Sequence, residues 1–233
     1  MTDRRLIVTI DGPSGAGKST ISRRLAATLG YTFLDTGAMY RAVGLKAREQ
    51  GLDLDTAAGL AGLEEMLAAT EVTLHPAEGL GEETRVFLDG REVSREIRAA
   101  EMGLVASRVS ALAPVRARLT EMQRRLAGGG GVVAEGRDTG TVVFPAAECK
   151  FYLDAAPEER ARRRCQQLRD QGREAEFAAI LAQIVQRDAD DSSRALAPLR
   201  PAEDAVIVDS SRLSEDEVVA AMLATIRARQ AGD

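Results

Sequence analysis

Residues 6–20 read LIVTIDGPSGAGKST. An apolar run ends at Asp11, and residues 12–19 then match G-x-x-x-x-G-K-[ST] at every defined position. Residues 21–29 place apolar side chains at helical spacing. A strand, a glycine-rich turn and a helix in this order are the setting in which the motif binds the phosphates of a nucleoside triphosphate. The stretch therefore predicts a P-loop in an α/β fold.

The loop itself predicts how a nucleoside triphosphate and Mg²⁺ are held. Glycines let successive backbone N–H groups wrap a phosphate chain, and Lys18 supplies a mobile cation for the β and γ phosphates. Only three of the 31 basic residues are lysine, so lysine at position 18 indicates a chemical requirement. Ser19 is the predicted Mg²⁺ ligand, and Thr20 beside it leaves open which hydroxyl meets the ion. The predicted nucleotide contacts of the loop are Gly12, Pro13, Ser14, Gly15, Ala16, Gly17, Lys18, Ser19 and Thr20.

Five short runs rich in β-branched or aromatic residues recur along the chain, and stretches with helical spacing lie between them. Strands alternating with helices predict a five-stranded parallel sheet with helices on both faces. Each run ends on a carboxylate, at the edge where such sheets bind ligands, although Asp and Glu are also ordinary loop residues. The runs are residues 6–10, 31–34, 132–134, 150–153 and 205–208. The helical stretches are residues 21–29, 39–49, 115–126, 158–171, 176–188 and 214–230.

One segment departs from this alternation. Residues 71–74 and 84–88 alternate in polarity, and Asp89-Gly90 separates the second run from residues 91–93. Asp-Gly between alternating runs is a strong hairpin signal. We therefore predict a small inserted antiparallel β subdomain over residues 68–110, with the core formed by residues 1–67 and 111–233.

Composition excludes several classes of protein. The 233 residues carry a net charge of −5, which argues against a nucleic-acid binder. No apolar run approaches the roughly 18 residues of a membrane span, and the start of the chain does not look like a signal peptide, so we expect a cytoplasmic protein without membrane partners. Cys149, Cys165 and the single histidine are too few for a standard structural metal site. No apolar interface stripe is evident, and a monomer is expected.

Dispersed arginines distinguish a phosphotransferase from a switch protein. The chain contains no asparagine and therefore lacks the Asn-Lys-x-Asp element with which GTPases read guanine. Arg41, Arg137 and Arg194 instead follow separate strands or loops, as expected for groups that stabilise a phosphoryl in transfer. Two of them have an alternative, a solvated helix position for Arg41 and a structural ion pair with Asp138 for Arg137.

Four motifs carry a family resemblance. They are DGPSGAGK at residues 11–18, LDTGAMYR at 34–41, GRDTGTVVFP at 136–145, and Arg187-Asp188 with Asp191, Arg194 and Pro198-Leu199. With these motifs the whole chain resembles the bacterial cytidylate kinases, P-loop nucleoside monophosphate kinases that phosphorylate CMP and dCMP. The inserted segment is similar to the CMP-binding subdomain of that family.

The resemblance implies direct in-line transfer of the γ-phosphoryl of Mg-ATP to CMP or dCMP. It implies that Arg41, Arg137 and Arg194 hold the acceptor phosphate and that, with Lys18, they are the catalytic residues. It further implies a lid at about residues 157–194, with Arg160, Arg163 and Arg164 facing ATP from one side of a helix. The implied substrate-binding residues are Thr36, Tyr40, Arg41, Ser107, Arg116, Arg137, Asp138, Arg187, Asp191 and Arg194.

Two other functions stay open at this point. A kinase for UMP, AMP or shikimate would share the P-loop and the arginines. A regulatory or assembly ATPase would share the loop alone and act through a protein partner.

Overall fold

The computed structural model describes residues 5–75, 84–99 and 101–232. The chain divides into two compact units. The first holds the chain up to Thr32 and from Gly129 onward, and the second is Phe33–Gly128. The predicted insertion, residues 68–110, lies within the second unit together with the helices that flank it in sequence. Its assignment as a CMP-binding subdomain stays a prediction.

Strands and helices are numbered in chain order. The strands are β1 (Ile7–Asp11), β2 (Thr32–Asp35), β3 (Val72–His75), β4 (Arg85–Leu88), β5 (Arg91–Glu92), β6 (Val132–Gly136), β7 (Cys149–Asp154) and β8 (Val206–Asp209). The α-helices are α1 (Lys18–Leu29), α2 (Thr36–Glu49), α3 (Ala57–Ala68), α4 (Met102–Ser110), α5 (Ala113–Leu126), α6 (Pro157–Asp170), α7 (Phe177–Ser193) and α8 (Glu215–Ala231). A 3₁₀ turn (Glu96–Arg98) and a π-helical turn (Thr139–Val143) complete the elements.

The main sheet confirms the predicted five parallel strands. Its strand order is β2-β6-β1-β7-β8, so β1 lies at the centre. Val8, Thr9 and Ile10 of β1 are all fully buried, as expected for a parallel strand covered on both faces. Within the first unit, α1 packs against β1 and β6, and α8 packs against β7. Asp11 at the end of β1 pairs in register with Gly136 at the end of β6, which aligns the loops that follow them.

The predicted hairpin is confirmed in the second unit. β3, β4 and β5 form an antiparallel sheet in that order, with Val72 opposite Leu88. Asp89 and Gly90 connect β4 to β5 with φ angles of 50° and 80°. Positive φ at both central residues is the requirement of a two-residue type I′ turn, which explains why Asp-Gly stands there.

Helix α3 of the second unit was not predicted. α3 consists mainly of alanine, leucine and glycine, so the contrast between apolar and polar faces that indicates a surface helix is weak. Its start is nevertheless capped by Thr56, whose hydroxyl accepts a hydrogen bond from the N–H of Gly59 at 3.1 Å. Among the described residues, no helix combines the length and the apolar character needed to cross a bilayer.

Candidate active site

The glycine-rich loop (residues 12–17) joins β1 to α1. Gly12, Gly15 and Gly17 have φ angles of 149°, 81° and 91°, a region that L side chains rarely adopt. A Cβ on Gly12 would lie 2.0 Å from the carbonyl oxygen of Leu153 in β7, so no side chain fits there. Gly17 is the N-cap of α1, and the positive end of the helix dipole therefore adjoins the loop.

Lys18 turns back over this loop and lies among other charges. It is 4% exposed, and its Nζ donates a hydrogen bond to the carbonyl oxygen of Pro13 at 2.7 Å. Burial, together with the positive charges of Arg137 and Arg187, lowers the pKa of Lys18 to about 7, against the opposing negative charges of Glu135 and Asp11. Arg137, which follows β6, and Arg187 of α7 therefore lie close enough to Lys18 to lower its pKa.

Ser19 and Glu135 form a pair of oxygen donors beside the loop. The hydroxyl of Ser19 donates a hydrogen bond to Oε1 of Glu135 at 2.9 Å. A hydroxyl and a carboxylate at this distance offer the hard oxygen atoms that Mg²⁺ prefers, so the residues fit that ion. Glu135 was noted only as a strand-end carboxylate in the sequence, and the structure gives it a specific partner.

Asp11 holds the turn that follows the Arg137-Asp138 pair. Its carboxylate is 3% exposed and accepts hydrogen bonds from the Thr139 N–H at 2.8 Å, the Thr139 hydroxyl at 2.8 Å and the Gly140 N–H at 2.7 Å. Burial raises the pKa of Asp11 above its ordinary value, and these hydrogen bonds offset only part of that effect. The π-helical turn is therefore anchored on β1, immediately after the two residues predicted to bind substrate.

Asp191 of α7 gathers two predicted phosphate ligands. It is 1% exposed, and its two carboxylate oxygens accept from Nε of Arg137 at 2.9 Å and pair with Nη2 of Arg194 at 2.5 Å. Charge-assisted hydrogen bonds of this kind restrict both guanidinium groups. The structure thus brings Arg137, Arg194 and Asp191 together in the first unit. Arg187 lies one turn before Asp191 on the same helix.

The first lid arginine, Arg160, is enclosed. Its side chain is 3% exposed, and Nη1 and Nη2 bind the carboxylate of Asp188 at 3.1 and 2.5 Å. Nη1 also donates to the carbonyl oxygen of Ser14 at 3.1 Å, and Nε donates to that of Ala155 at 2.8 Å. The side chain of Arg160 therefore contacts the backbone of the glycine-rich loop.

The other two predicted lid arginines differ in position. Nη2 of Arg163 donates to the carbonyl oxygen of Ser210 at 2.6 Å, and a Cβ on Gly17 would lie 4.0 Å from its Nη1. Arg164 is exposed, and its Nη1 donates to Oε1 of Gln167 at 2.5 Å. The structure thus brings Arg160 and Arg163 to the loop, whereas the side chain of Arg164 is exposed to solvent, and the contact of these arginines with ATP stays a prediction.

Predicted substrate residues of the second unit form their own group. Nη2 of Arg41 lies 3.3 Å from Oδ2 of Asp35, the carboxylate that also caps α2 by accepting from the Ala38 N–H. Arg116 is buried, with its guanidinium carbon 5.8 Å from the ring centroid of Tyr40, a cation–π distance.

Two further members of this group lie on its helices. Thr36 is the buried first residue of α2. Ser107 lies in α4, where its carbonyl oxygen accepts a hydrogen bond from the Ser110 hydroxyl at 2.9 Å. Nη1 of Arg116 donates to the carbonyl oxygen of Ser110 at 3.2 Å. Ser110 therefore links Arg116 to the turn of α4 that contains Ser107.

Comparison with known proteins identifies the family. The sequence profile of the cytidylate kinase family matches residues 8–228. The chain belongs to the cytidylate kinase family. It is 50% identical over 226 residues to a cytidylate kinase of Geobacter sp. (strain M21), covering 97% of this chain and 94% of the relative. It is 48% identical over 229 residues to a cytidylate kinase of Vibrio cholerae, covering 98% and 99%.

A solved structure supports the fold alone. An uncharacterised protein from Eubacterium ventriosum aligns with a TM-score of 0.52 at 10% identity, over 96% of this chain and 99% of that protein.

Within this cytidylate kinase family member, three acidic residues near the site were absent from the predicted set. Asp11 anchors the turn after Asp138, Glu135 accepts from Ser19, and Asp188 pairs with Arg160. A sequence signal existed for the first two, since each directly follows an apolar run that was predicted as a strand of the main sheet. Asp188 had only its place in the Arg187-Asp188 motif. The other strand-end carboxylates accept local hydrogen bonds, for example Asp209 from the N–H of Ser211, and fit the ordinary loop interpretation.

Proposed function

We propose that this protein transfers the γ-phosphoryl group of ATP to the 5′-phosphate of CMP or dCMP, producing ADP and CDP or dCDP. The observation that supports this proposal best is a cluster of cationic side chains in the first unit. The charges of Arg137 and Arg187 lower the pKa of Lys18, and Asp191 forms ion pairs with both Arg137 and Arg194. Two phosphate anions repel each other at reacting distance unless positive charge compensates them. A site with four such cations suits a reaction between two phosphorylated substrates.

The transfer is a direct in-line displacement. An oxygen of the acceptor phosphate forms the new bond to the γ-phosphorus, and the bond from that phosphorus to the oxygen shared with the β-phosphate breaks. The attacking oxygen is already anionic, so no strong general base is required. Positioning and charge neutralisation therefore supply the rate enhancement, with Lys18, Arg41, Arg137 and Arg194 as the proposed catalytic residues.

On the donor side, we assign the ATP phosphates to the glycine-rich loop and Lys18. Arg163 lies beside Gly17 and is the lid arginine whose position favours contact with ATP. Ser19 and Glu135 would hold Mg²⁺, directly or through water, with Thr20 as the alternative hydroxyl. Bound there, Mg²⁺ would neutralise part of the phosphate charge.

On the acceptor side, Arg137 and Arg194 both pair with the carboxylate of Asp191, and we propose that they bind the phosphate of the acceptor. The family resemblance adds Arg41 as a third ligand of that phosphate. Arg187 and Asp191 are proposed for the ribose. Both oxygens of Asp191 already bind arginines, so contact with a ribose hydroxyl would require it to share them.

The base is proposed to be read by donors and acceptors that match cytosine. Cytosine presents an amino donor at N4 and acceptors at N3 and O2. Asp138 can accept from the amino group with help from the Ser107 hydroxyl, and Arg116 can donate to the ring. Uracil places a carbonyl where cytosine has the amino group, and two facing acceptors cost about 1–3 kcal/mol when buried.

An acceptor panel tests this function. Purified protein with Mg-ATP is assayed for ADP release with CMP, dCMP, UMP, AMP and shikimate, and without any acceptor. We expect turnover with CMP and dCMP, weaker turnover with UMP, and little release without acceptor. Lys18→Met serves as the inactive control.

Other outcomes of the panel would support other functions. Activity with AMP or shikimate but not CMP would contradict the proposal and assign another small-molecule kinase. ADP release that ignores every acceptor would instead support a regulatory ATPase. The cytoplasmic location and the monomeric state stay predictions, and gel filtration of the same preparation measures the second.

A further inference from the structure

Arg160 has almost no donor left for a ligand. A guanidinium group carries five N–H donors, and the four hydrogen bonds of Arg160 to Asp188, Ser14 and Ala155 use four of them. The side chain is 3% exposed, so the remaining donor lies inside the protein. This is the environment of a structural connector and differs from that of a lid arginine waiting for a phosphate.

The two groups that Arg160 connects belong to different parts of the proposed site. Ser14 lies in the glycine-rich loop, and the Cβ of Arg160 would be 3.3 Å from a Cβ on Gly15, so the stem also packs on the loop. Asp188 lies on α7 directly after Arg187 and three residues before Asp191. One guanidinium thus joins the loop proposed for ATP to the helix proposed for the acceptor.

We propose that Arg160 and Asp188 are a positioning pair that sets α7 against the glycine-rich loop. Arg160 acts through Ser14 and Asp188, and neither member of the pair is a ligand of ATP. The bidentate geometry fixes both distance and angle between the two elements. Loss of the pair would leave both nucleotides bound but misplaced relative to each other, which lowers kcat. The inference rests on the proposed function because it assigns α7 to the acceptor.

A double-mutant cycle tests the pair. Arg160→Lys keeps the charge but loses the fork, and Asp188→Asn keeps the shape but loses the charge. We expect each variant to lower kcat with ATP and CMP on the order of 10- to 100-fold, the range for a misplaced reactant. The double variant should be no slower than the slower single variant, because both remove the same interaction. Asp188→Glu should recover part of kcat.

Asp190→Asn is the matched control, since Asp190 lies on the same helix, is exposed, and its carboxylate accepts a hydrogen bond from the side chain of Gln186 and not from an arginine. Its kcat should equal that of the unchanged protein. Calorimetric binding of ATP alone should give dissociation constants that change by the same factor in Arg160→Lys and Asp188→Asn. The thermal midpoint is measured for every variant, and kcat is measured well below it.

Three results would overturn the inference. Weakened ATP binding in Arg160→Lys with normal binding in Asp188→Asn would make Arg160 a direct ligand. Effects that multiply in the double variant would show that the residues act independently. A lowered midpoint with unchanged kcat would show a role in stability alone. Absence of CMP turnover in the unchanged protein would defeat the proposed function instead, and would be seen before any variant is made.

Discussion

At the residue scale, the charge of Lys18 depends on what occupies the loop. Burial, with Arg137 and Arg187 nearby, lowers the pKa of Lys18 to about 7 in the unliganded protein. A phosphate anion beside the ammonium group favours its protonated form and raises that pKa. Lysine differs from arginine here, because a guanidinium group stays charged at any accessible pH.

We therefore predict that ATP binding takes up a proton at pH 8. Lys18 is largely neutral there before binding and charged afterwards, so affinity falls as pH rises above 7 and levels off below it. Calorimetry in two buffers of different ionisation enthalpy measures the uptake. Lys18→Arg is the control, since it has no proton to gain. Equal uptake by both proteins would show that Lys18 does not titrate on binding.

Asp138 provides the second prediction at this scale. Asp138→Ala removes the proposed acceptor for the cytosine amino group. It should raise the KM for CMP roughly 5- to 150-fold, which corresponds to a loss of about 1–3 kcal/mol of binding free energy. The dissociation constant of ATP should stay nearly unchanged. Asp138→Asn retains one oxygen that can accept from the amino group and should lose less.

One outcome of the same measurement would contradict this prediction. Asp138 is buried, and its backbone carbonyl accepts from the N–H of Val142 at 2.9 Å within the π-helical turn. If Asp138→Ala weakened ATP and CMP to the same extent, the side chain would be supporting that turn and would not read the base.

At the element scale, the π-helical turn depends on close packing against β1. Asp11 binds its first two N–H groups, and a Cβ on Gly140 would lie 2.8 Å from Oγ1 of Thr9. The next atoms, in Lys150 and Asp11, would lie at ordinary contact distances of 3.4 and 3.5 Å. A single oxygen atom therefore limits residue 140 to glycine.

We predict that Gly140→Ala lowers the free energy of unfolding by about 1–3 kcal/mol, because a methyl group is forced into a packed space. Thr9→Ala removes the obstructing oxygen, which makes no hydrogen bond among the described residues. In the Thr9→Ala background, Gly140→Ala should therefore cost clearly less. Denaturant unfolding of the four proteins measures the difference, and equal costs in both backgrounds would place the obstruction elsewhere.

At the scale of the whole molecule, an acidic chain builds a cationic site. The net charge is −5, yet Lys18, Arg137, Arg187 and Arg194 lie in one unit and two of them influence the pKa of Lys18. These residues come from three separate segments of the sequence, so no single local charge run marks them. Net charge argued against nucleic acid as a partner, but it contained no information about a phosphate site.

Much of the architecture was predictable because its signals are local. The strand runs appear within a residue or two of their predicted positions, and the Asp89-Gly90 turn follows from the need for positive φ. α3 was missed because its composition gives little contrast between faces. The site residues proposed from family motifs stay predictions, although the structure brings Arg137, Asp191 and Arg194 into contact.

The sequence by itself determined the glycine-rich loop, the five core strands with most of the helices between them, and the hairpin, since each depends on neighbouring residues and on backbone conformation. Only the tertiary structure decided that Asp11 anchors the turn after Asp138 and that Arg160 binds Asp188 and Ser14. Those partnerships depend on β1 lying between β6 and β7 and on α7 packing against α6. Charges distant in sequence pair according to that placement, and periodicity and motif spacing do not encode it.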